Sequence, residues 1–139
     1  MNRVVYILFV LFHSAALADP VNIYGSKLEI LQSCQLQVNH RDGSQTVHKL
    51  NLPHSETCTF IKHAETNIVH IERVYNIYAL LVESTSDEAD TCVSTYTAAF
   101  IKPNGTVEIS DFNKKSGSCY IDRERKVFEY FAHSMVGLK

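Results

Sequence analysis

From residue 19 onward, apolar and polar positions alternate with a period of two far more often than with the 3.6-residue period of a helix. In "CQLQVNH" Leu36 and Val38 fall on one face, "TVHKLNL" returns with Val47, and the "RDGSQ" between them holds an Asp42-Gly43 pair suited to a tight turn. "TCTFIK" and "NIVHIERV" make a second candidate hairpin. "NIYALLV" is apolar at nearly every position, which predicts a strand covered on both faces. "TCVSTYTAAFIK" places Val93, Thr95, Thr97, Ala99 and Ile101 opposite Tyr96, Ala98 and Phe100, and Asn104-Gly105 turns the chain into "TVEISDF". Two segments carry helical spacing instead: "SKLEILQS", and "DRERKVFEYFAHSM" with Asp122 as a candidate N-cap. The pattern predicts a mainly β domain of antiparallel sheet, a sandwich or barrel-like fold, with one or two short helices.

The front of the chain has a different character. A single positive charge at Arg3 precedes an apolar run of nine residues, "VVYILFVLF", and "HSAALA" ends in small residues at Ala16 and Ala18. This is the layout of a secretory signal peptide over residues 1–18, cut before Asp19, and it is shorter than the roughly 20 apolar residues a bilayer span needs. Residues 19–139 then form a single exported domain in a periplasm or in secretion, with no membrane attachment after cleavage. Of the 13 basic residues one, Arg3, lies in the leader, which leaves 12 against 15 acidic residues and a formal charge of −3. Such a balance, without a basic patch, argues against nucleic acid as the partner.

Export changes the meaning of the four cysteines, Cys34, Cys58, Cys92 and Cys119. An even number in a small exported chain, without a C-x-x-C pair, reads as two disulfides. Of the three possible pairings, Cys34–Cys58 and Cys92–Cys119 close the shortest loops. Loops of roughly 25 residues each stabilise the fold by about 3.5 kcal/mol in the chain-entropy treatment.

The residues do not spell out a reaction. There is no G-x-S-x-G elbow, the cysteines are committed, and His54 beside Ser55 in "LPHSET" is adjacency along the chain, not triad geometry. Asp87, Glu88 and Asp90 in "STSDEAD" read as a solvated loop between strands. The expectation is therefore a non-enzyme without cofactor or assigned metal. Six histidines remain beyond the leader, and two pairs, His40 with His48 and His63 with His70, flank the first two hairpin turns, where cross-strand metal pairs are conceivable. Asn104-Gly105-Thr106 matches a glycosylation acceptor, though its turn role already accounts for it.

Binding is the class that remains. The stretch "NKKSGSCY" carries the paired lysines Lys114 and Lys115, then Ser116, Gly117 and Ser118, and ends at Cys119 and Tyr120. A loop pinned by a disulfide loses less entropy on docking, and tyrosine suits a protein interface. The expectation is a protein partner, an enzyme or a toxin, occluded by this domain acting as an inhibitor or immunity protein. The alternatives are a small-ligand or metal-binding protein, and a structural or adhesin subunit.

Overall fold

The computed structural model describes residues 20–54 and 58–135; the expected leader and Ser55 lie outside them. In chain order the elements are β1 (Val21–Ile23), β2 (Ser26–Leu31), β3 (Gln35–Asn39), β4 (Gln45–Lys49), β5 (Thr59–Phe60), β6 (Ile71–Val74), β7 (Ile77–Glu88), β8 (Thr91–Ile101), β9 (Val107–Ile109), β10 (Lys114–Ser116) and α1 (Arg125–His133). Strands β1 to β4 form a sequential antiparallel meander. The second sheet is built on the long β7–β8 hairpin, ordered β10-β8-β7-β5, with β6 also pairing β7 and β9 also pairing β8. The protein is thus mainly antiparallel β with one helix, as the alternation predicts.

The period of two decides the layers. Leu80 and Val82 of β7 and Ala99 and Ile101 of β8 pack against Leu28, Ile30, Leu36 and Val38 of the first sheet. The alternate positions, Ala79, Leu81, Tyr96, Ala98 and Phe100, pack against Phe128, Phe131 and Ala132 of α1 and Met135 just beyond it. The result is sheet, sheet and helix in three layers, which is why "IYALLV" has no polar face. Each fully buried Leu or Phe in these layers is worth roughly 1.5–3 kcal/mol of transfer free energy. The disulfides join Cys34 to Cys58 and Cys92 to Cys119, 24 and 27 residues apart. The first ties the β2–β3 turn to the approach of β5, linking the two sheets, and the second fastens the start of β8 to the segment after β10.

The Asp42-Gly43 and Asn104-Gly105 turns form as expected, with Gly43 at φ +87° and Gly105 at φ +82°. Four expectations change. "SKLEILQS" is strand β2, not helix, because Leu28 and Ile30 find cross-strand partners in Val38 and Leu36. The second hairpin is shorter than expected: its arms meet at the antiparallel Lys62–Val69 bridge, and the His70 N–H donates to the Ile61 carbonyl at 3.0 Å, while β5 and β6 each pair with β7. "STSDEAD" is not a loop: β7 runs through Glu88, and Ala89 and Asp90, both with positive φ, make the whole turn. The C-terminal helix forms, but Glu124 occupies its N-cap.

Candidate functional site

The proposed contact stretch is an edge, not a free loop. Lys114, Lys115 and Ser116 form β10, paired antiparallel with Tyr96, Thr95 and Ser94 of β8, and the chain bends at Gly117 and again at Cys119 and Tyr120. Both lysines are engaged within the chain. The Lys114 ammonium lies 3.6 Å from the Tyr130 ring centroid, and Lys115 Nζ sits 3.4 Å from Glu88 Oε1. Lysines on an edge strand also discourage pairing with another sheet.

Beyond β10 the backbone is fastened from behind. Arg123 stacks on Tyr96 at 4.6 Å and donates from its guanidinium to Ser116 Oγ at 3.3 Å and to the Ser118 carbonyl at 3.2 Å. Cys119 is bridged to β8. The Tyr120 N–H donates to Oε1 of Glu83 at 3.1 Å, and Oε2 of the same carboxylate accepts from Ser94 Oγ at 2.5 Å. Glu83, only 1% exposed, directly follows the apolar half of β7, and these two bonds account for its burial. Its position within "IYALLVES" was the available signal, and the apolar run concealed it. Tyr120 is held at φ +55°, a left-handed conformation that a tyrosine adopts only when its surroundings impose it. The residue is 69% exposed, with its hydroxyl 3.1 Å from Thr85 Oγ1 and with Ile121 beside it at 45%. Of the residues singled out in sequence, Lys115, Gly117, Ser118 and Tyr120 are exposed, Tyr120 is the aromatic among them, and the Ser116 hydroxyl and Ser118 carbonyl serve to hold Arg123.

A second cluster gathers at the other face of this segment. His63 and His70, at the two ends of the Ile61–His70 turn, stack with ring centroids 3.9 Å apart. Asp122 reaches both: one carboxylate oxygen is 3.2 Å from His63 Nδ1 and the other contacts His70 Nδ1. His70 is buried under Phe128, and its Nε2 lies 2.9 Å from Glu72 Oε1, with Arg125 Nη1 3.1 Å from the other Glu72 oxygen. Burial pushes the Asp122 carboxyl up, but the hydrogen bond and charge of His70, the Arg123 N–H and His63 outweigh it and hold the group below the ordinary carboxylate range. Asp122 had suggested a helix cap; its oxygens are used by the histidines instead.

The first histidine pair lies apart, in an open groove of about 540 Å³ between the β3–β4 hairpin and the β8–β9 turn. Thr46 Oγ1 stands between them, 2.9 Å from His40 Nε2 and 3.3 Å from His48 Nε2. Burial, and secondarily the charge of His40, pushes His48 below the usual histidine value.

No protein-family model, curated protein or solved structure matches this chain. The two disulfides are consistent with an oxidising, exported location, and no helix among the described residues is long and apolar enough to cross a membrane.

Proposed function

We propose that the chain is an exported, non-enzymatic binding domain that occludes a protein partner, as an inhibitor or immunity protein against a wall-degrading enzyme or a toxin. One observation carries this reading: Tyr120 and Ile121 are exposed on a backbone fastened by a disulfide, by Arg123 and by the buried Glu83 side chain, and the Tyr120 hydroxyl is itself held 3.1 Å from Thr85 Oγ1. An exposed aromatic beside an aliphatic side chain, on backbone already ordered, pays little of the entropic cost that docking usually carries. Aromatic anchors of this kind dominate interface energetics. The lysines of β10 lie at the rim, where charge steers encounter more than it sets affinity.

The test immobilises the oxidised protein, exposes it to the exported extract of its own organism, and assays the retained protein's activity with and without this domain. Occlusion predicts that a stoichiometric amount abolishes that activity. Tyr120→Ala then weakens the complex by about thirtyfold or more, the scale of an interface hot spot. A partner whose activity is untouched at saturation, or whose affinity is the same for Tyr120→Ala, counts against the reading. The groove beside His40 and His48 supports a small-ligand binder as the second reading, and that reading gains if no protein is retained.

A further inference from the structure

We infer that His63, His70 and Asp122 form a binding site for a divalent transition-metal ion of the zinc and copper class. The donor set is two imidazoles and one carboxylate, a combination that suits such ions better than calcium or magnesium. The three residues come from three places in the chain, the two ends of the Ile61–His70 turn and the segment before α1, and one donor atom from each lies within 4.8 Å of the other two. This site stands independently of the protein-binding reading.

The hydrogen-bond inventory gives the ion a reason to be there. His70 has a carboxylate against each ring nitrogen, Glu72 at Nε2 and Asp122 at Nδ1. An ionised carboxylate only accepts, and a neutral imidazole carries one N–H. A neutral ring can donate to only one of these carboxylates, so the second contact calls for a cation, a proton or a metal ion. A second ring proton supplies one for His70 alone; a metal ion supplies it for both histidines and Asp122 at once.

The surrounding groups are those that hold metal ligands in place. Glu72 orients His70 through the ring nitrogen remote from the ion, the carboxylate–histidine–metal arrangement that fixes tautomer and ring direction. Arg125 in turn holds Glu72, Phe128 lies 4.7 Å from the His70 ring, and the Arg123 N–H donates to Asp122 at 2.8 Å. His70 is therefore held, the half-buried Asp122 carboxylate moves off Nδ1 to admit an ion with bonds of about 2 Å, and His63, with 42% of its side chain exposed, is the ligand able to turn. Rotating His63 off the stack directs both Nδ1 lone pairs at one ion and leaves the solvent side for water.

Zn2+ itself is the probe, titrated by calorimetry into the untagged, oxidised protein, with Co2+ absorption reporting the ligand geometry. The expected result is one ion per chain. His63→Ala, with folding verified by thermal melting, weakens binding at least about tenfold, and Glu72→Gln, which leaves all three ligands, weakens it by about ten- to a hundredfold. Asp122→Asn provides a second ligand variant of nearly unchanged shape. The double variant His40→Ala/His48→Ala binds as the wild type does. Failure to observe saturable Zn2+ binding overturns the site, as does unchanged affinity in His63→Ala and Asp122→Asn, or loss of binding in the His40/His48 variant.

Discussion

His40 with His48 and His63 with His70 are placed alike in the sequence, each pair astride a turn, yet they finish in opposite surroundings. Every residue of β4 but His48 is exposed, and the first pair meets the hydroxyl of Thr46 at the rim of a groove. In the second pair His70 is buried under Phe128 of α1 and bracketed by Glu72, two residues on, and by Asp122, which arrives from a distant segment and also reaches His63. A histidine's chemistry here is set by the element that closes over its hairpin, not by the hairpin that carries it.

The difference is open to attack at several points. Phe128→Ala removes the wall over His70 and a fully buried core ring, and it is expected to cost about 3–5 kcal/mol in thermal or urea unfolding. Val47→Ala, beside His48 but half exposed, is expected to change stability by less than about 0.5 kcal/mol. Similar costs for the two would mean that α1 is not the element that separates the pairs. Next come the disulfides. Cys92→Ala/Cys119→Ala and Cys34→Ala/Cys58→Ala each remove a loop closure worth about 3.5 kcal/mol. Only the first frees the segment that delivers Asp122, so only it is expected to shift the His70 ring signals in an NMR spectrum.

Asp122→Asn is expected to cost about 1–3 kcal/mol in chemical denaturation, because it leaves two histidine nitrogens without their carboxylate. His48→Gln, by contrast, is expected to stay within about 0.5 kcal/mol. The smallest effects are in pH. Asp122 has its folded value depressed, so its contribution is present above the unfolded carboxylate value near about 4 and is lost as pH falls through the lower folded value. His48 is also depressed, but as a base: below about pH 6.5 the unfolded chain takes the proton first, so stability declines as pH drops until the folded value is reached. Unfolding midpoints across pH, compared for the wild type, Asp122→Asn and His48→Gln, separate the two windows.

What the alternation of residues announced was the part of the fold with local causes. The β3–β4 and β8–β9 hairpins carry their turns in Asp42-Gly43 and Asn104-Gly105, and the double-faced burial of β7 is visible in "IYALLV". The cysteine pairing followed from loop length. What stayed hidden depends on contacts between distant segments. Leu28 and Leu31 share a helical spacing as readily as they share β2, and only Leu36 and Val38 across the pair decide. Asp122 looks like a cap in its own neighbourhood and becomes a partner of His70 through a contact 52 residues away. Glu83 sat in plain view, but its acceptors' partners, Ser94 and the Tyr120 amide, come from β8 and from beyond β10.

The order of the bridges has a consequence for how the chain matures. Each cysteine is joined to the next one along, Cys34 to Cys58 and then Cys92 to Cys119, so the two loops neither cross nor enclose one another. When such a chain enters an oxidising space amino end first, the right mate is always the most recently arrived free thiol. An oxidant that couples thiols as they emerge therefore makes the native set directly, and reshuffling by a disulfide isomerase is unnecessary.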